Sequence, residues 1–321
     1  MANYEEDELS DLFDGGLDLK MDFLNDITKS NNDGIYRVDP KKALEKSKGY
    51  RATVRFLPNL SKEGKVGQSA IEKISHYVDM KNNRELAGYY DSSKNFGEKC
   101  GLTDLFYTML NSNNAILQEK AKSTLKYQRK YYSYVLVIED VQQPECVGKV
   151  MIMQYGKTIR DKVLAEKNGE ISGVPCNVFD LAEGKDFVLI VKEISTGDET
   201  YPDYKSSSFQ GKTSSLPVYS KERKLFKNIP LTEDGKVADS AKAIVKDFLL
   251  DREHEIEEFA PRRLTEEQQS NITEISNILT GKATSTYTKT QPKSEDFELS
   301  DIASGGSPDA ETEDDFFSDD F

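Results

Sequence analysis

The sequence predicts a mainly β protein with added helices, an α+β chain whose strands form a barrel core bearing an inserted subdomain, C-terminal helices and disordered acidic tails. Three observations predict it: period-two runs bounded by Gly, Pro or charged turns recur through the middle, helical periodicity takes over after Pro230, and periodicity vanishes beyond Gly281. Hydrophobic residues make up 36% of the 321 positions, below the roughly 45–50% usual for globular domains, so part of the chain is expected to stay unfolded.

Residues 1–34 form an acidic leader in which apolar triplets (Leu9, Leu12, Phe13; Phe23, Leu24, Ile27) recur at helical spacing, as docking segments would. A short helix follows, with Asp39 as N-cap, Pro40 at the first helical position and Gly49 where a left-handed cap is expected. From Arg51 the period becomes two. Ala52, Val54 and Phe56 share one face and Arg51, Thr53 and Arg55 the other, which predicts a half-buried strand with a cationic outer face ended by Pro58. Further strands are expected near 70–79, 131–140, 148–156 and 185–194, with a helix from about Thr158 to before Gly169. Between the second and third strands, residues 80–126 form an inserted subdomain: a polar stretch, then a helix carrying Leu105, Phe106, Met109 and Leu110. Five strands with an interposed helix fit an oligonucleotide-binding (OB) barrel over 35–230.

Over 231–281 the residues Val237, Ala241, Ile244, Val245, Phe248, Leu249, Ile256 and Phe259 form one apolar stripe. Thr265 stands three residues before Gln268, a capping-box spacing, and opens a second helix through Ile272, Ile275, Ile278 and Leu279 to Gly281. Two arrangements fit: helices packed on the barrel, or a separate hairpin that engages a partner. Residues 282–321 read as a disordered linker ending in an acidic tip with phenylalanines, Asp314, Asp315, Phe316, Phe317, Asp319, Asp320 and Phe321.

The whole chain carries net charge −14, which would repel phosphate, but the charge is segregated. Residues 1–34 have 2 basic and 10 acidic side chains, 35–230 have 32 and 24, and 231–321 have 9 and 23, so a cationic middle lies between anionic ends. No apolar run approaches the roughly 18 residues needed to span a bilayer and no signal pattern opens the chain, so an intracellular, soluble protein with no membrane partner is expected. Cys100, Cys146 and Cys176 are odd in number and far apart, which implies no disulfide framework.

Catalysis is not expected. His76 and His254 are the two histidines and lie in different segments, and no nucleophile elbow, phosphate loop or dinucleotide signature is present. Binding of a stacked polymer needs flat rings interleaved with long cations, and Lys126, Tyr127, Arg129, Lys130, Tyr131, Tyr132 and Tyr134 supply both within nine residues. Alternation puts Tyr132 and Tyr134 on one face and Tyr131 with Ser133 on the other, and leaves open which face is core. Arg51 and Arg55 upstream, then Lys149, Tyr155, Lys157, Arg160 and Lys162, then Tyr201, Tyr204, Lys205, Phe209 and Lys212 in a Ser/Gly-rich loop, extend the same pattern.

The runs Tyr50–Pro58, the basic-tyrosine strand ending at Ile138, Gln143–Val150, Tyr155–Val163 and Asp186–Lys192 together resemble the T-even phage single-stranded DNA-binding family over about residues 45–210. The resemblance implies an OB barrel whose groove holds single-stranded DNA, without sequence preference, against Lys126, Arg129, Lys130, Tyr131, Tyr132, Tyr155, Tyr201 and Tyr204. It further implies a role in DNA replication, recombination and repair in the cytoplasm of a bacterial host. The acidic end would recruit replication proteins such as a polymerase, helicase loader or recombination mediator. Two departures stand out. The family holds zinc with one His and three Cys, including a Cys-x-x-Cys pair. Here His76 and Cys100 fall near two of those places while Thr103 stands where the last Cys belongs, so no metal and no cofactor are expected and the subdomain is held by its own apolar helix. The family's basic N-terminal arm is replaced by Glu5-Glu6-Asp7-Glu8. Two other readings fit the composition: an acidic scaffold that never touches DNA, and an RNA-binding OB protein.

Overall fold

The computed structural model describes residues 35–37, 49–171, 173–196 and 199–281, without the side chains of 193–201. The acidic leader, the helix expected from Asp39 and the acidic tail lie outside the described residues. The strands are β1 (Ile35–Tyr36), β2 (Tyr50–Leu57), β3 (Asn59–Leu60), β4 (Val66–Gly67), β5 (Ile71–Val78), β6 (Gly88–Asp91), β7 (Leu125–Asp140), β8 (Val150–Tyr155), β9 (Asp186–Thr196), β10 (Glu199–Asp203), β11 (Ser208–Phe209), β12 (Pro217–Ser220) and β13 (Leu225–Asn228). The helices are α1 (Gly101–Leu110), α2 (Ala115–Thr124), α3 (Lys157–Lys167), α4 (Asp239–Leu250) and α5 (Glu266–Leu279). Among the described residues no helix is long and apolar enough to cross a membrane. The described chain divides into two compact units, one of 35–72 with 130–260, the other of 73–129 with 261–281.

In the first unit the strand order is β1-β8-β7-β2-β9-β10, with β11 also on β9. β1 runs parallel to β8 and the other pairs are antiparallel, so the sheet is mixed. Among the described residues the ladder ends at β1 and at β10 and does not close, so an open sheet stands where a barrel was expected. Phe56 sits at the centre of one face, with the rings of Tyr155, Phe179, Phe187 and Phe209 all 5.7–5.8 Å away. The other face carries Tyr132, Tyr134 and Leu136 and is covered by Ala241, Val245 and Leu249 of α4 and by Ile256 and Phe259. Ile244, expected on that stripe, is exposed because the i, i+4, i+8 positions 241, 245 and 249 already face inward.

This second cover corrects the reading of β2. Only Arg51 of its expected outer face is exposed; Thr53 and Arg55 are buried. Arg55 pairs with Asp186 at 3.1 Å and donates to Ser214 Oγ (3.1 Å), the Asp180 carbonyl (3.1 Å) and the Ser214 carbonyl (2.6 Å). Gly184 makes this possible: a Cβ there would lie 2.5 Å from the guanidinium. At the far end of the sheet Asp140 takes hydrogen bonds from the hydroxyls of Tyr36 (2.6 Å) and Tyr50 and from the N–H groups of Gln142 and Gln143 (both 2.9 Å), tying β1, β2 and β7 together. A short hairpin of β12 and β13, not expected from the sequence, adds Lys221, Arg223, Lys224 and Lys227 as exposed cations. Gly148, at φ +82°, lets it approach, since a Cβ there would meet the Tyr219 ring at 2.3 Å.

The second unit is built on α1, whose Leu102, Leu105, Phe106 and Met109 are buried with Val78, Leu86, Ala121, Leu125, Ile275 and Leu279. Asn114 caps α2 by accepting from Ile116 N–H at 2.9 Å. The expected capping box opens α5: Thr265 Oγ1 accepts from Gln268 N–H at 3.2 Å and Gln268 Oε1 from Thr265 N–H at 3.0 Å. The two C-terminal helices therefore part, α4 belonging to the first unit and α5 to the second.

Candidate nucleic-acid interface

The basic-tyrosine strand β7 alternates as expected, and both of its faces are core. Tyr132 stacks on Phe259 at 5.1 Å and 25°. The Tyr134 hydroxyl accepts from Ile256 N–H at 2.7 Å, and the Arg252 guanidinium lies 4.1 Å from its ring centroid. Both rings are therefore enclosed by chain 120 residues downstream, and neither offers a face to a ligand. Arg55, locked by its ion pair, is likewise enclosed.

A different subset is brought together around the start of α3. Tyr131 stacks against Tyr155 (5.9 Å, 23°), and the Arg160 guanidinium lies 5.7 Å from the Tyr131 centroid. Tyr155 is pushed up to about 12 by burial, and its hydroxyl meets Ser133 at 2.9 Å. Phe209 is buried in the same cluster, and half-buried Tyr204 packs against it. Lys162 Nζ donates to the Lys205 carbonyl at 3.1 Å, bringing the late loop to α3. Arg160 and Lys162 are half-exposed and Lys205 is exposed. The first turn of α3 carries Lys157 and no acidic side chain, and its N-cap Gly156 makes no side-chain cap bond. The leading N–H groups and the positive end of the helix dipole therefore suit an anionic oxygen.

The remaining expected residues lie elsewhere. Arg51 is exposed on β2 opposite Ile190, Lys149 is exposed in the turn before β8, and Lys212 lines a cavity of about 750 Å³ with Cys176, Asp180 and Lys185. The side chain of Tyr201 lies outside those described. Lys130 is half-buried in the first unit; Lys126, Tyr127 and Arg129 belong to the second. There Tyr127 packs on Phe106 and His76, with ring centroids 6.0 and 5.4 Å apart.

The zinc that the resemblance implies does not fit the residues present. His76 Nδ1 donates to the Leu125 carbonyl (3.2 Å) and Nε2 accepts from the Thr103 hydroxyl (2.9 Å), which in turn meets Ser92 Oγ at 3.1 Å. Burial pushes the Cys100 thiol up, but hydrogen bonds from Ser92 and Thr103 outweigh it and bring it below its ordinary value. One imidazole, one thiol and two neutral hydroxyls, already bonded to one another, are not a thiolate-imidazole set for zinc. Among the described residues no other group of three His, Cys, Asp or Glu side chains could hold a metal. Burial also holds His76 down to about 4, so it is neutral when folded. A depressed basic group costs stability as pH falls below its unfolded value of about 6.5, reaching about 3 kcal/mol near pH 4. The unfolding free energy of the chain relative to a His76→Gln variant is expected to fall by that amount between pH 7 and pH 4; a pH-independent difference would mean His76 titrates normally.

His254, the other histidine, pairs with Glu258 at 3.1 Å on its own segment. The family model described as "gp32 DNA binding protein like" matches residues 48–277, well over half of the chain. The chain belongs to the gp32-like DNA-binding family. It is 28% identical over 169 residues to the single-stranded DNA-binding protein of Enterobacteria phage T4, an alignment covering 51% of this chain and 53% of the relative. The corresponding protein of Enterobacteria phage T2 is 27% identical over the same shares. The chain spans about half the length of these gp32-like relatives. The matched region takes in β2, β7, β8, α3 and β9, the elements that gather the ring and cation cluster.

Proposed function

We propose that the chain binds single-stranded DNA without sequence preference and is not an enzyme. Phosphates would meet Lys157, Arg160, Lys162 and Lys205 at the start of α3, with the open sheet of the first unit acting as the OB-type platform. The observation that carries this reading is the Arg160 guanidinium, paired with Asp161 at 2.9 Å, over the Tyr131 ring at the start of a helix whose first turn carries no acidic side chain, in a chain of a DNA-binding family. The enclosed rings Tyr131, Tyr132, Tyr134 and Tyr155 serve the scaffold, so the charge contribution from α3 and its neighbours dominates at this patch. In this reading the acidic tip Asp314–Phe321 recruits replication proteins, the site of action is the host cytoplasm, and the roles are replication, recombination and repair. Its support is the charge pattern of the sequence together with family membership.

With 16 tyrosines and no tryptophan, intrinsic tyrosine fluorescence reports binding directly. Titration with poly-dT over a salt series is expected to give a log-log slope of about −0.7 for each phosphate neutralised. Arg160→Met should reduce that slope by about one such increment. Equal quenching by duplex DNA, or a slope near zero, would reject the proposal; quenching by an RNA homopolymer alone would favour the RNA-binding alternative.

A further inference from the structure

We propose that the second unit carries a base-stacking platform of its own, formed by Tyr77 and Tyr89 with Lys126 at its edge; this rests on the single-stranded DNA reading above. Tyr77 of β5 and Tyr89 of β6 are directly opposed in register, with ring centroids 4.9 Å apart at 50°. Strand alternation sends the adjacent residues inward: His76, Val78 and Tyr90 are buried, and the Tyr90 hydroxyl donates to the Leu86 carbonyl at 2.9 Å. Tyr89 is 63% exposed, the one aromatic among the large exposed apolar side chains of the described residues. A lone exposed tyrosine needs no explanation. Two opposed rings with a cation beside them present what a splayed base recognises, a broad π face with a positive edge.

Lys126 supplies that edge. Its Nζ lies 5.5 Å from the Tyr77 centroid, and its side chain is 46% exposed. Asp79, with a carboxylate oxygen 3.6 Å from the same nitrogen, takes up part of the charge. The platform is therefore suited to the neutral face of a base more than to phosphate, and its contribution should be nearly independent of salt. This separates it from the α3 patch of the first unit, whose contribution is ionic.

The test is a dT oligonucleotide titration of the full chain at several salt concentrations with Tyr89→Leu, Tyr89→Phe and Tyr77→Leu. Leucine keeps an apolar cross-strand contact for the hairpin and removes the flat ring; phenylalanine keeps the ring. Tyr89→Leu should weaken binding by about 5- to 150-fold, the range for one stacked base, at an unchanged salt slope, with Tyr89→Phe near wild type. Tyr77→Leu, changed on the partly covered ring, should lose affinity in the same salt-independent way. If wild type binds and both leucine variants bind within twofold of it, the platform is overturned and the broader reading stands. If wild type itself does not bind, the DNA-binding proposal fails. A loss accompanied by a flatter salt slope would also overturn the platform, because it would show that the rings act through phosphate-binding cations.

Discussion

Replacing Arg55 with methionine is expected to lower the unfolding free energy by about 3–5 kcal/mol, the usual cost of removing one partner from a buried ion pair. The side chain is fully enclosed, and its loss leaves the carboxylate of Asp186, the Ser214 hydroxyl and two carbonyls without their donor. Arg55→Lys should also be costly, since an ammonium cannot reproduce the forked set of contacts. Urea denaturation measures the loss. The folded fraction of either variant should keep the wild-type salt slope for poly-dT, because the residue faces the interior. A variant that stays within 1 kcal/mol of wild type and flattens the slope would return Arg55 to the DNA-binding set.

Asp140→Ala is expected to cost a comparable amount, about 3–5 kcal/mol, from the opposite end of the sheet. The carboxylate is 3% exposed and accepts from two phenols and two backbone N–H groups. Without it Tyr36 and Tyr50 keep only their mutual contact at 3.0 Å and, for Tyr50, Gln143 at 3.3 Å. Burial first and the hydrogen bond to Asp140 second hold both phenols above their ordinary value, so they remain donors through the neutral range. The same denaturation experiment checks this. A loss below 1 kcal/mol would show that Tyr36 and Tyr50 satisfy each other and that the carboxylate adds little.

The legible parts of this fold were those fixed by local chemistry. The capping box at Thr265, the helix after Gly156 and the strand runs of β2, β7 and β9 follow from neighbouring residues, and the structure places them within a few positions of expectation. What was not legible depends on distant chain. Arg55 reads as a surface cation until Asp186 and Ser214, more than 130 residues away, close over it. Tyr132 and Tyr134 read as ligand faces until residues 252–259 cover them. The failure of the ladder to close is likewise a matter of nonlocal pairing, with β10 folding back on β9 alone. At the candidate site, Tyr131, Arg160 and Tyr204 were visible from composition, while Tyr77 and Tyr89 escaped notice. They lie in separate strands, 12 residues apart, and only the hairpin register brings them face to face.

The parting of α4 and α5 has a practical meaning for how the chain tolerates shortening. Ending it near Ala260 would spare every helix that covers the β7 sheet, yet would withdraw Ile275 and Leu279 from beneath α1, some 170 positions earlier. Damage from a late stop codon would therefore surface first in a segment encoded near the start, and α5 is best regarded as a detached piece of the early insertion.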